Sequence, residues 1–199
     1  NSIYYMYYKN GKFYNAENKE IGILGKEPIS PNQSSIVYNA TLTKVKSWIW
    51  DIAVDENDNP VIVYAKFPDS KNHIYVYAKW NGEKWISSDL INAGAWFPQT
   101  PQGKIEYEQN YSGGIILDHE NTNIVYLSAK RDSVFEIEKW ETENSIDWEA
   151  KSITNGSSKD NVRPFAVRNA KSGNPIQLLW MQNSHYVHYT NYLSSIKID

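Results

Sequence analysis

Apolar residues along this chain recur with a period of two, in short runs separated by polar turns, and helical periodicity never persists for ten residues. One pattern repeats: a short strand, a polar turn, a strand ending in an aromatic, a loop, a strand ending in Lys-Trp, a tight turn and an outer strand. In the clearest copy Trp48–Val54 is the first strand, 55–59 the turn, and Pro60–Tyr64 the second strand. Ile74–Trp80 is the third, and Lys84–Ser88 follows the Asn81-Gly82 turn, a dipeptide suited to the positive φ that a two-residue hairpin demands. The next copy runs Gly113–Leu117, turn 118–123, Ile124–Ser128, Val134–Trp140 and Trp148–Ile153. The third runs Val162–Val167, turn 168–174, Pro175–Met181, Tyr186–Thr190 and Ser194–Ile198. Lys79-Trp80 and Lys139-Trp140 hold equivalent places, as do Asp55 and Asp118.

Three tandem four-strand units predict an all-β chain, with consecutive blades of a β-propeller at about 48–90, 111–154 and 161–199. Residues 1–21 supply half a unit, with Ile3–Tyr8, Asn10-Gly11 and Lys12–Ala16 matching a third strand, its turn and an outer strand. Gly22–Lys46 and Ile91–Asn110 read as long connectors rich in Pro, Gly and Asn. Three blades and a half leave open sheet edges. The expectation is therefore one partial propeller domain, the C-terminal part of a larger ring, whose missing blades come from an upstream segment or a second chain. The first residue is Asn1 rather than Met, so an upstream portion, at least a leader, is expected as well.

Composition narrows the function classes. Of 199 residues 41% are apolar, enough for a core, and 14% are aromatic, namely fifteen Tyr, eight Trp and five Phe. Tyr and Trp favour strands and also stack on sugar rings or bases. Net charge is −3 without a run of five basic residues, which disfavours nucleic acid as a partner. Cysteine is absent, which removes disulfides and thiol chemistry. No stretch approaches the roughly 18 apolar residues of a membrane-spanning helix. Asn39-Ala40-Thr41 and Asn155-Gly156-Ser157 fit the glycosylation sequon without deciding anything.

Strand order places the candidate chemistry. In a propeller the start of each inner strand and the loop between the second and third strands share one rim, where ligands usually sit. That rim is expected to carry Trp48, Trp50, Asp51, Asn110, Tyr111, Ser112 and Arg163, with His73, Lys130, Arg131 and His185 on the facing loops. Each has a bland alternative. Trp50 alternates with Ile49 and Ile52 as a core residue would, Arg163 before Pro164 can serve as an ion-pair pin, Tyr111 can seal a blade junction, and His73 and His185 can be solvated loop residues. Asp55, Asp118, His119 and Glu120 fall on the opposite rim as turn formers. Trp80, Trp140, Trp148 and Trp180 read as packing between blades. Residues 141–148 occupy the place of an Asp-box turn, but only Trp148 matches that motif.

The segment Tyr111–Glu120 (YSGGIILDHE), continuing through Ile124–Ser128 and Phe135–Trp140, resembles the BNR-repeat propeller family. Trp50–Asp55, Trp96–Pro101 and Asn161–Phe165 are similar to the same family, so the resemblance runs over about residues 48–190. The family includes bacterial sialidase-like proteins and ulvan-type polysaccharide lyases, propellers of about seven blades. The resemblance implies a carbohydrate-active protein, secreted or periplasmic, that cleaves an acidic, uronate-containing polysaccharide by β-elimination. By position it implies Tyr111 as acid/base, Arg131 as partner of the substrate carboxylate and His73 or His185 as an assisting group, with Arg163, Trp48, Asn110 and Trp96 binding substrate. The reading includes no cofactor, metal, nucleic acid or membrane. A non-catalytic glycan-binding propeller is the alternative. A sialidase-like hydrolase is the other, although only Arg131, Arg163 and Arg168 are present for its arginine triad, and Arg168 belongs to the opposite rim.

Overall fold

The computed structural model describes residues 1–95, 102–103, 113–170, 173–188 and 190–199. The described residues are all-β apart from one helical turn, α1 (Ala40–Thr43), and one 3-10 turn at Pro31–Gln33.

The N-terminal unit comprises β1 (Ile3–Tyr5), β2 (Tyr7–Lys9), β3 (Lys12–Tyr14), β4 (Glu20–Ile23) and β5 (Ser35–Tyr38). β2, β3 and β4 form an antiparallel meander, and β1 pairs with β5. Asn10 and Gly11 turn the β2–β3 hairpin with φ of 51° and 83°, as the sequence predicts. The long connector differs from expectation. Within it Ser35 and Val37 point inward and Ile36 outward, so the segment 35–38 becomes a strand that covers β1.

The first complete sheet has the order β6 (Lys46–Val54), β7 (Pro60–Asp69), β8 (Asn72–Trp80), β9 (Trp85–Asn92). β7 is apolar along nearly its whole length because both of its faces are covered. Val61, Val63, Ala65 and Phe67 pack toward the following sheet, whereas Ile62 and Tyr64 pack toward the N-terminal unit. β8 divides likewise, with Tyr75 and Tyr77 on one side and Val76, Ala78 and Trp80 on the other. The turn before β7 is built by Asp55, which accepts the amides of Asn57 (2.9 Å) and Asn59 (2.8 Å) and pairs with Lys79 at 3.0 Å. Burial opposes ionisation of Asp55, but these partners outweigh it and lower its pKa.

The second sheet has the order β10 (Ile115–Leu117), β11 (Ile124–Arg131), β12 (Val134–Glu141), β13 (Glu149–Ser152). The third contains β14 (Asp160–Ala166), β15 (Leu178–His188) and β16 (Asn191–Ile198). Here the four-strand expectation needs correcting. Pro175–Met181 and Tyr186–Thr190 do not form two strands. β15 runs through Asn183–His185 by irregularities at 183–185 and 186–188 and turns into β16 only beyond His188.

β10 lies against both β6 and β14, so successive sheets converge along their first strands as propeller blades do. Trp80 and Trp180 are buried, and Trp140 and Trp148 pack against the core between the first two sheets, the packing role expected of all four.

Candidate functional site

Three irregularities of the first strands meet at one place. Ile49 faces Tyr64 and Asp51 faces Val63, so Trp50 is the extra residue of a bulge in β6. A bulge re-aims a side chain, and the ring of Trp50 crosses to the next sheet at Gly114. A Cβ there would lie 3.1 Å from that ring, and Gly114 has φ +94°, so glycine is required on both counts. On the third sheet the pairing of β14 shifts between Val162 and Phe165, and Arg163 adopts φ +56°. A left-handed conformation costs a non-glycine residue about 1–2 kcal/mol, and Pro164 restricts it further. It is held there because its amide donates to the carbonyl of Gly113. The Arg163 guanidinium then lies 5.3 Å from the Trp50 ring centroid, a cation–π contact of about 0.5–2 kcal/mol. Strain of this kind gathers at functional sites.

Beneath Gly114 lies an aromatic ladder. The Gly114 amide donates to the Tyr75 hydroxyl at 2.7 Å, and His73 stacks edgewise between Tyr75 (5.2 Å) and Phe67 (4.5 Å). His73 is therefore not a solvated loop residue. It sits in β8 and is 1% exposed, because its ring continues the inward alternation of His73, Tyr75 and Tyr77. Tyr75, which no motif in the sequence marks, is the residue that supports the glycine turn.

Arg131 ends β11 and makes a two-pronged contact with the buried Glu138, Nε to Oε1 at 2.7 Å and Nη2 to Oε2 at 2.9 Å. Glu138 also accepts the indole N–H of Trp140. Its charge is thus already balanced, which works against an Arg131 role as sole partner of a substrate carboxylate. His185 is exposed on β15, two residues beyond Asn183, the last residue paired with β14. Trp48 is 52% exposed on β6. Tyr111, Asn110 and Trp96 lie outside the described residues.

Asp51 also departs from expectation. Its carboxylate accepts the Leu117 amide (3.1 Å), contacts His119 Nε2 at 2.9 Å and lies 3.7 Å from Arg168, both of them residues expected on the opposite rim. Glu120 accepts the Asn169 amide at 2.9 Å. His119 and Glu120 are more than turn formers, since they tie three sheets together.

The start of β14 is fixed by a buried polar network. Glu136 accepts hydrogen bonds from the Thr154 hydroxyl, the Ser157 amide and hydroxyl, and the Asn161 amide group. Asn161, fully buried, accepts in turn from Trp180 Nε1 (3.0 Å) and Gln182 (3.1 Å). Burial disfavours the Glu136 carboxylate, but these donors outweigh it and lower its pKa. Asn161 stands two residues before Arg163, so this network locates the arginine's strand.

The architecture and the strained rim agree with one further observation. Residues 1–93 match the BNR repeat-containing family. The match covers the N-terminal unit and the first complete sheet, and it overlaps the resemblance read from the sequence over 48–93. It supports a carbohydrate-related BNR-repeat propeller. No curated protein and no solved structure matches the chain.

Proposed function

We propose that this BNR-repeat chain acts on an acidic, uronate-containing polysaccharide by β-elimination, at the rim where Trp50, Gly114 and Arg163 converge. The observation that supports this most is the strained Arg163 held over the Trp50 ring. A cation fixed on an aromatic face can neutralise a uronate carboxylate, while the exposed Trp48 offers a surface to the sugar. Neutralising that carboxylate acidifies the adjacent ring C–H. A base removes this proton, the C–H electrons form the ring double bond, and the bond to the glycosidic oxygen breaks with proton delivery to that oxygen. In this reading Tyr111, two residues before the Gly113 carbonyl that holds Arg163, is the acid/base. Arg163, rather than Arg131, receives the carboxylate.

Non-catalytic glycan binding is the second reading. It draws on the burial of His73 and the pairing of Arg131 with Glu138, which withdraw two titratable groups from chemistry. The test follows the ultraviolet absorbance of unsaturated uronate ends released from pectate, alginate, hyaluronan and ulvan by wild type, Tyr111→Phe and Arg163→Ala in the full-length protein. Elimination at this rim predicts that each variant loses about 10²–10⁴ in rate. Unsaturated ends formed equally fast by Tyr111→Phe overturn its assignment. No such ends from any of these polymers leaves the binding reading standing.

A further inference from the structure

A second site lies between the N-terminal unit and the first complete sheet, on the rim of the Asp55–Asn59 turn. Here the structure leaves a cleft of about 540 Å³, within the range of pockets that hold small ligands. It lies away from the Trp50 cluster, because Val54, which lines it, stands four residues along β6 from Trp50, roughly 13 Å at strand rise.

Tyr5, Tyr7 and Trp80 supply its aromatic lining. Tyr5 and Trp80 are largely buried and brace each other through Trp85 at 5.8 and 5.7 Å. Tyr7 is half-buried and stacks on Tyr14 at 5.1 Å and 17°, and its hydroxyl donates to Asn18 at 2.8 Å. The ring and the amide are thus fixed before any ligand arrives, which lowers the ordering cost of binding. On the opposite lip Asn57 sits in the turn held by Asp55, and both Asn57 and Asn18 line the cleft.

The charge balance selects the ligand. Among the described residues, Lys9 is the one basic residue of the lining, against the carboxylates of Glu17 and Asp58. That surplus of negative charge repels a uronate or sulfate ester, whereas a neutral pyranose suits an aromatic surface flanked by amides. We infer that this cleft is a second carbohydrate site, which takes a neutral glycosyl unit and holds glycan away from the Arg163 rim. The inference rests on the carbohydrate-directed reading for its ligand class but not on the elimination chemistry.

The test measures binding of the full chain to immobilised neutral gluco-, xylo-, manno-, galacto- and rhamno-oligosaccharides, beside oligogalacturonate. Wild type is expected to bind at least one neutral series. Tyr7→Ala, checked for native circular dichroism, lowers that affinity about tenfold, and the exposed Asn57→Ala lowers it several-fold without touching the core. Arg163→Ala leaves neutral binding unchanged and reduces only the acidic arm, so failure of this site and failure of the Arg163 rim are separable. Absence of neutral binding, neutral binding equal to wild type in both cleft variants, or its loss in Arg163→Ala overturns the inference.

Discussion

The seam between the first and second sheets and the seam between the second and third differ in what fills their interiors. The first is mainly apolar and aromatic, beside the polar ties of Asp51 to Leu117 and His119. Tyr75, Tyr77, Val63 and Phe67 interlock with Leu117, Val125 and Leu127, and the Tyr77 ring meets Trp148 edgewise at 4.9 Å. Burial pushes the Tyr77 phenol up to about 12. The second seam has its own apolar cluster around Ile137, Leu178 and Trp180, but the buried carboxylate of Glu136 and the amide of Asn161 run through it. Apolar burial stabilises without direction, whereas a satisfied polar network tolerates only one arrangement. The directional seam is the one beside the strained Arg163, where position matters most.

The largest effect should come from breaking the apolar seam. Tyr75→Ala removes a fully buried ring and the acceptor of the Gly114 amide, and it should cost about 3–5 kcal/mol in denaturant unfolding. Asn161→Ala should cost about 2–3 kcal/mol, because Trp180 Nε1 and Glu136 lose a buried partner. It should also weaken acidic-glycan binding at temperatures where the protein remains folded, since it frees the start of β14. A binding loss no larger than that of a surface control would remove the distinction between the seams.

Acid sharpens the comparison. The folded pKa of Glu136 lies below its unfolded value of about 4.3. Its contribution is therefore complete above that value and is lost as pH falls through the lower folded value. Glu136→Gln should flatten the decline of melting temperature over that acid range, whereas the neutral variant Tyr77→Phe should leave its slope unchanged. The smallest effect is expected at the exposed Lys66–Asp89 pair (2.7 Å), where Lys66→Ala should change stability by about 0–1 kcal/mol.

Much of this fold was legible because alternation and turn chemistry act locally. Asn10-Gly11, Asn81-Gly82 and the Asp55 turn mark hairpins whatever surrounds them, and the Lys-Trp strands follow from them. The uninterrupted β15 was not legible, since Asn183-Ser184-His185 looks like a turn and becomes strand only through irregular pairing with β16. β5 was hidden because four residues between Pro31 and α1 carry too little pattern. At the site, the grouping of Trp50 with Arg163 followed from strand order. The burial of His73, the capture of Arg131 by Glu138 and the Asp51–His119 tie are contacts set by register or by neighbouring sheets. No local pattern encodes them.

In the proposed site Arg163, and not Arg131, holds the acidic sugar. Calorimetric titration of the full-length protein with oligomers of galacturonate, mannuronate and guluronate, for wild type, Arg163→Ala and Arg131→Ala, tests it directly. Arg163→Ala should weaken binding by about tenfold or more, as loss of a charge-assisted contact of roughly 1.5–3 kcal/mol requires, while Arg131→Ala should stay within about threefold of wild type. Equal affinities for wild type and Arg163→Ala, or a loss confined to Arg131→Ala, would contradict it.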